Sequence, residues 1–168
     1  MKKFELTNEF ITNMFGTKLF RIRALVEFGD VEAGELGGYV EKESNLGHDD
    51  NAWVYDNAWV YGDAQVSGDA RVYDNAWVYG DARVCGNGDY AYAHGFGSVN
   101  RTTTFFRLKD GGVGVRCGCF YGTLAQFRDK IRETHGESAI AEEYLDLAAL
   151  MEKRFRRTGN EQKTEEES

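Results

Sequence analysis

Three histidines and a closely spaced pair of cysteines are the residues of this chain best suited to acid–base, nucleophilic or metal chemistry. His48, His94 and His135 lie far apart in sequence, and none stands at metal-ligand spacing from another His or Cys. Cys117 and Cys119 lie two apart on a predicted strand and so point their thiols to one face, but two ligands do not make a metal site. We therefore predict no catalytic residue, no metal and no cofactor.

Aromatic and acidic side chains that recur at a fixed distance are suited to another task, the recognition of a protein partner. Trp59 with Tyr61 recurs as Trp77 with Tyr79, eighteen residues further on. Trp and Tyr dominate the binding energy of many interfaces, and carboxylates add charge complementarity to a basic partner. The residues that we predict to bind a partner are Trp53, Tyr55, Asp56, Trp59, Tyr61, Asp74, Trp77 and Tyr79.

A hexapeptide repeat positions these side chains. Its units read DNAWVY (50–55), DNAWVY (56–61), GDAQVS (62–67), GDARVY (68–73), DNAWVY (74–79) and GDARVC (80–85). Every unit has Ala third and Val fifth, so Ala and Val point inward and the residue between them points outward, as in a short strand. The Asp-Asn or Gly-Asp pair that follows tolerates the positive φ of a tight corner.

The sequence also repeats with a period of three hexapeptides. A shift of eighteen residues takes Trp59 to Trp77, and the same shift takes Gly62 to Gly80. Three strands then form one triangular turn, and successive turns stack as parallel strands about 4.8 Å apart. The sequence thus predicts a mainly β fold, a hexapeptide-repeat parallel β-helix with turns of eighteen residues.

The faces of this β-helix differ in their outward side chains. The second face, with Trp59, Tyr61, Trp77 and Tyr79, is an aromatic ladder. Stacked exposed tryptophans lower solubility, so we expect this face to be covered. Three occupants are open: a partner protein, the C-terminal helices of the same chain, or a second copy of the chain in a homo-oligomer.

The segments on either side must close the ends of the repeat, because two complete turns bury too little surface to be stable alone. Residues 1–35 predict an N-terminal β cap, in which residues 3–10 pair with residues 18–26 as a hairpin. Residues 36–98 comprise the β-helix, with a degenerate opening turn and a decaying closing turn.

The C-terminal part predicts a different architecture, a ββαα unit over residues 99–157. A hairpin joins residues 103–108 to residues 113–117. Thr123 and Gln126 form a capping box that opens a helix, and Gly136 ends it. A second helix begins near Ser138, and the acidic tail at residues 158–168 is predicted to be disordered.

The charge of −8 is concentrated on the repeat, where residues 49–89 carry two basic and eight acidic side chains. Such a surface repels phosphate backbones, so direct nucleic-acid binding by the repeat is disfavoured and a basic protein partner is favoured. No apolar run is long enough to span a bilayer, and the first residues lack the apolar stretch of a secretory signal. With three cysteines, these features predict a cytoplasmic protein with no membrane partner.

The Ala-x-Val-x-Gly-Asp units resemble the hexapeptide-repeat superfamily. That resemblance covers about residues 36–97 and implies a left-handed β-helix. Its best-known members are trimeric acyltransferases that use a histidine base and a CoA-type donor. His94 is the only histidine near the corresponding context, so the resemblance offers an acyltransferase as one alternative function.

A second resemblance covers nearly the whole chain. It is carried by FRIRAL (20–25), GDV (29–31), LGGYVE (36–41), TTTFFR (102–107) and CGCF (117–120). With these motifs the chain resembles small β-helical proteins of phages and mobile elements in gut bacteria. This setting implies a role among small acidic proteins that inhibit host defence, including CRISPR-Cas inhibitors.

The leading hypothesis is therefore a non-enzymatic, phage-type binding protein that occupies a basic surface on a bacterial defence protein. The alternatives are the acyltransferase and a structural module that assembles with itself. A fourth hypothesis is the sequestration of a signalling nucleotide, for which Arg71, Arg83 and Arg101 are the candidate phosphate ligands.

Overall fold

The chain divides into two compact units in a computed structural model that describes residues 1–97 and 99–167. The first unit is Met1–Asn87 and the second is Gly88–Ser168. The predicted boundaries at residues 98 and 168 fall outside the described residues.

The first unit opens with the predicted hairpin. Strand β1 (Phe4–Thr12) pairs antiparallel with β2 (Lys18–Ala24), and Phe4 lies opposite Ala24. The carboxamide oxygen of Asn13 accepts hydrogen bonds from the backbone N–H groups of Phe15 and Thr17, which fixes the turn between the strands. The hairpin prediction is confirmed.

Seven further strands follow in this unit, the first of five residues and the others of two. They are β3 (Leu36–Val40), β4 (Trp53–Val54), β5 (Trp59–Val60), β6 (Gln65–Val66), β7 (Arg71–Val72), β8 (Trp77–Val78) and β9 (Arg83–Val84), with a short 3-10 turn at Glu43–Asn45. β4 pairs with β7, β5 with β8 and β6 with β9, each parallel and each offset by eighteen residues. The predicted period is confirmed.

The Ala and Val of each hexapeptide form the core of the repeat. All twelve are at most 1% exposed, from Ala52 to Val84. The corners have the predicted positive φ, which is 52° at Asp56, 58° at Asp74 and 67° at both Gly62 and Gly80. The alternation of buried Ala and Val with outward residues therefore sets which way every side chain of a hexapeptide points.

The opening turn has two extra residues. β3 pairs antiparallel with β2 and parallel with β5, and Tyr39 lies opposite Trp59, twenty positions on. Leu46 likewise pairs with Val66. The predicted opening turn is thus confirmed, and its extra residues lie between Gly47 and Asn51, where the offset returns to eighteen.

The backbone at Gly68 leaves no room for a Cβ atom. The φ of Gly68 is +64°, and an added Cβ would overlap the Cys85 carbonyl oxygen on the next turn. We expect Gly68→Ala to lower the free energy of unfolding by at least ~2 kcal/mol, because left-handed strain and a clash with backbone act together. Urea unfolding of the purified protein measures this.

Gly86→Ala is the matched control, since a Cβ there meets no atom within 4 Å. We expect it to change the free energy of unfolding by less than about 0.5 kcal/mol. Equal effects of the two substitutions would contradict the close approach of neighbouring turns.

The second unit is an antiparallel four-stranded sheet with two helices. The strands are β10 (Tyr90–Phe96), β11 (Arg101–Arg107), β12 (Val113–Cys117) and β13 (Phe120–Thr123), in that order across the sheet. The predicted hairpin is β11 with β12. The sequence predicts a closing turn of the β-helix over residues 86–96, whereas the structure pairs residues 90–96 antiparallel with β11, because their seven-residue alternation suits a long strand.

The two helices begin where the sequence predicts. In α1 (Leu124–His135), Thr123 accepts a hydrogen bond from the Gln126 N–H and Gln126 accepts one from the Thr123 N–H; Gly136, with φ 58°, ends the helix. Ser138 caps α2 (Ala139–Glu166). Both apolar faces pack into one core with Phe105 and Val115 of the sheet.

The C-terminal tail differs from the prediction of disorder. α2 continues to Glu166. Thr158 is buried and its hydroxyl donates to the Gly88 carbonyl at 2.8 Å, while Gln162 donates to the Asp89 carboxylate at 2.9 Å. These contacts hold the polar segment in helical form, which its composition alone does not favour.

Candidate partner-binding surface

Two stacked pairs of aromatic rings lie on β5 and β8 and on the residues that directly follow these strands. The Trp59 and Trp77 rings lie 4.1 Å apart between centroids and only 7° from parallel. The Tyr61 and Tyr79 rings lie 4.7 Å apart at 4°. Since the strands pair in register, their spacing brings the rings into contact. We call these four partly exposed residues the aromatic face.

Two exposed aspartates occupy equivalent corners just before the strands of the aromatic face. Asp56 and Asp74 both have positive φ, and the Asp56 carboxylate accepts a hydrogen bond from the Asp74 N–H at 3.3 Å. Because both side chains are exposed, their negative charge reaches solvent beside the aromatic rings. The structure thus brings together six of the eight predicted partner-binding residues.

The outward row of the aromatic face continues into the N-terminal strands. Arg21 lies opposite Tyr39 and Tyr39 lies opposite Trp59. The Arg21 guanidinium sits 4.9 Å from the centroid of the Tyr39 ring, and the Tyr39 hydroxyl donates to Glu9 at 3.3 Å. Tyr39 lies outside the eighteen-residue period because its offset from Trp59 is twenty. The pattern Gly-Tyr-Val, which parallels Ala-Trp-Val, is the signal that could have found it.

Trp53 differs from its prediction. It was expected to point to solvent and bind a partner, but it is fully buried. Its ring packs edge-on against Phe4 at 6.3 Å and Phe28 at 5.3 Å, both from the N-terminal segment. The N-terminal segment therefore covers Trp53, which contributes to the core.

Tyr55 is only partly exposed and is held by the same segment. Its ring stacks on Tyr73 at 4.5 Å, and its hydroxyl donates to Asp30 at 3.2 Å. Burial, reinforced by the Asp30 charge, raises the pKa of the Tyr55 hydroxyl above its usual value. Arg71 also pairs with Asp30, at 3.0 Å. Tyr55 thus joins the repeat to its cap.

The arginines considered for phosphate binding do not form one cluster within the first unit. Arg71 pairs with Asp30, whereas Arg83 donates to the carbonyl oxygens of Asp63 and Ala82 at 2.7 and 2.9 Å. Arg101 belongs to the second unit. Arg71 and Arg83 thus bind different groups of the first unit and do not form a common phosphate site.

The histidines occupy three separate environments. His48 stacks on Phe4 and accepts a hydrogen bond from the Lys3 N–H at 3.2 Å. His94 lies on β10 with its Nδ1 2.8 Å from the Thr102 hydroxyl, and His135 lies at the end of α1. Among residues 1–97 and 99–167, no three His, Cys, Asp or Glu side chains are grouped to hold a metal ion.

Comparison with known families supports the repeat. Residues 64–80 match the family model of the YdcK β-solenoid repeat. No curated protein matches the chain. The matched segment spans about one turn, so it identifies β-solenoid repeat sequence at the strands that carry the eighteen-residue offset. In the part of the chain that the structure describes, neither helix contains a window apolar enough to be a membrane span.

Proposed function

We propose that this protein acts by binding another protein through the aromatic face, without catalysing a reaction. The observation that carries the proposal is the double stack of Trp59 with Trp77 and Tyr61 with Tyr79, partly exposed on one face. Stacking fixes the rings before a partner arrives, so binding orders few side chains and loses little entropy.

The charge around the aromatic face supports a basic partner. Asp56 and Asp74 are exposed beside it, and the segment 49–89 carries six more acidic than basic side chains. Charges at the rim of an interface raise the rate of association and select against partners of like charge. The proposed partner therefore presents a basic rim around an apolar centre.

A narrower proposal is that this partner is a bacterial defence protein, such as a CRISPR-Cas nuclease, inhibited by a phage-type protein. It is supported by the resemblance of the motifs in segments 20–41 and 102–120 to phage proteins and by the acidic surface. Nucleases that bind nucleic acid carry basic surfaces, which an acidic protein can occupy.

We also propose the finer geometry of the repeat, a left-handed β-helix with triangular turns. Three separate strand pairs offset by eighteen residues support three strands per turn. The left hand is inferred from the similarity to hexapeptide-repeat proteins. A crystal structure with turns of right-handed sense would contradict it.

The test of binding removes the centre of the aromatic face. The double substitution Trp59→Ala, Trp77→Ala should raise the Kd for a purified partner about 30-fold, which corresponds to roughly 2 kcal/mol. Buried Trp anchors dominate the binding energy of interfaces. The partner is first captured by tagged protein from a bacterial lysate with active defence systems, and its Kd is then measured by calorimetry with both purified proteins.

Gln65→Ala, an exposed change on another face, is the control and should leave the Kd unchanged. Unchanged affinity of the folded double Trp variant would overturn the proposal. Capture of a CoA ester, lost in His94→Ala, would instead favour the acyltransferase. A concentration-dependent oligomer that the Trp substitutions dissolve would favour a self-assembling module.

A further inference from the structure

A cavity in the second unit has a chemistry unlike the rest of this acidic protein. It measures about 330 Å³ and lies between β12, β13 and the helices. That volume falls at the lower end of the range of small-molecule sites. Its wall and rim include Arg101, Phe120, Phe127, Lys130 and Tyr144.

The floor of the cavity is aromatic and already fixed by core packing. Phe127 and Tyr144 are at most 5% exposed and meet edge to face at 5.9 Å. Phe120 tilts against Phe127 at 5.5 Å and is partly exposed. A flat apolar ring can therefore pack on the exposed part of Phe120, which Phe127 and Tyr144 already hold in place from behind.

The rim of the cavity is basic. Arg101, Lys130 and His135 line it, and no carboxylate does among the described residues. Lys130 pairs with Glu133 at 3.3 Å, but both side chains are exposed, so this ion pair holds the ammonium group weakly. The cavity thus concentrates positive charge in a chain whose net charge is −8.

A hydroxyl group adds a polar contact at the floor. The Tyr144 O–H lies 3.7 Å from the Cys117 sulfur and 3.4 Å from the Phe96 carbonyl oxygen. Burial raises the pKa of this hydroxyl, and its hydrogen is donated to the Phe96 carbonyl, so its oxygen is left to accept a hydrogen bond from a ligand.

We propose that this cavity binds a small organic anion with a flat ring. The ring lies against Phe120, which Phe127 supports, and the phosphate or carboxylate group pairs with Arg101 and Lys130. Nucleoside monophosphates and aromatic carboxylates share this chemistry. The site lies on the second unit and does not depend on the aromatic face of the repeat.

Calorimetric titration of the full-length protein tests the proposal, with adenosine monophosphate and indole acetate as probes. We expect at least one to bind with a Kd between about 1 mM and about 10 μM, the range set by its number of atoms. If only adenosine monophosphate binds, the site is assigned to nucleotides. If only indole acetate binds, it is assigned to aromatic acids. No binding of either at millimolar concentration, or equal binding of inorganic phosphate, overturns the proposal.

Substitutions of cavity residues test whether the probe binds in the cavity. Arg101→Gln and Lys130→Gln should each raise the Kd of the bound probe about tenfold, since each removes a charge-assisted hydrogen bond. Arg132→Gln is the control, because Arg132 is exposed on the same helix but does not line the cavity. A probe that binds equally to all three variants lies elsewhere and overturns the assignment.

Thiol footprinting gives an independent readout. Cys119 is exposed and lines the cavity, whereas Cys85 is exposed in the first unit. Bound probe should slow iodoacetamide alkylation of Cys119 severalfold and leave that of Cys85 unchanged, as mass spectrometry of the labelled peptides will show. Equal alkylation of Cys119 with and without saturating probe counts against the site.

Discussion

Replacing Lys3 by methionine is expected to lower the free energy of unfolding of the first unit by about 3 kcal/mol. The Lys3 side chain is almost fully buried at the opening turn. Its ammonium group donates to the Asp50 carbonyl at 2.9 Å, the Asp50 carboxylate at 3.0 Å and the Ala52 carbonyl at 2.8 Å. Methionine fills similar space but cannot donate, so three acceptors that are largely shielded from water lose their bond to the ammonium group.

The location of Lys3 explains why the effect reaches the repeat. Asp50 stands in the corner with two extra residues, and its carboxylate also accepts from the Gly68 N–H at 2.7 Å, on the next turn. Lys3 therefore fixes the residue that joins the opening turn to the first regular one. Urea unfolding of wild type and Lys3→Met, followed by tryptophan fluorescence, measures the loss.

Lys2→Met is the matched control. Lys2 pairs with Glu43 at 2.6 Å, but both side chains are about half exposed, so the change should cost less than about 1 kcal/mol. Equal losses for Lys2→Met and Lys3→Met would show that the buried ammonium group has no special role.

Burial of Lys3 also makes the stability of wild type depend on pH in a way that the Lys3→Met variant lacks. Desolvation lowers the pKa of Lys3, although the hydrogen bond and charge of Asp50 oppose it. Between this lowered pKa and that of a lysine in the unfolded chain, the unfolded chain binds more protons, so Lys3 makes wild type more stable as pH rises. Lys3→Met should lose this rise, which appears in the difference between the two stability curves on the alkaline side.

The three identical DNAWVY hexapeptides show how far the sequence predicts this structure. Their Ala and Val are all buried, as the alternation requires, and their strands pair at the predicted eighteen-residue offset. Yet Trp53 is fully buried while Trp59 and Trp77 are partly exposed. A local pattern sets which side of the strand a residue occupies, but Phe4 and Phe28, distant in sequence, decide which face is covered.

Residues outside the eighteen-residue period also show the difference between local and distant interactions. Tyr39 belongs to the aromatic row, but the two residues inserted in the opening turn make its offset twenty and so place it outside the eighteen-residue period. Thr123 and Ser138 were predictable as caps because capping is a local interaction. Thr158 and Gln162 were not, because their partners Gly88 and Asp89 are some seventy residues away.

Those distant contacts meet at Arg107, where we expect the largest effect of a single substitution. The Arg107 Nε donates to the buried Asp89 carboxylate at 2.7 Å, and its Nη2 donates to the Phe155 carbonyl and the Thr158 hydroxyl at 2.9 and 3.0 Å. Arg107→Met should destabilise the second unit by about 4 kcal/mol, because removing one member of a buried ion pair leaves the other charge uncompensated. Urea unfolding followed by far-UV circular dichroism measures it.

A double-mutant cycle separates the ion pair from the packing of the arginine. Asp89→Asn in the Arg107→Met background should recover part of the loss, because no buried charge then remains at this position. Arg128→Met is the control: Arg128 pairs with the half-exposed Glu152 at 2.9 Å, and its loss should cost no more than about 1 kcal/mol. If Arg107→Met proved as mild as Arg128→Met, the buried pair could not be what holds the last turns of α2 in helical form.

Hydrogen exchange tests the same pair at the end of α2. With the pair intact, backbone amides of residues 158–166 should exchange slowly with solvent, and in Arg107→Met they should exchange at the rate of a frayed helix end.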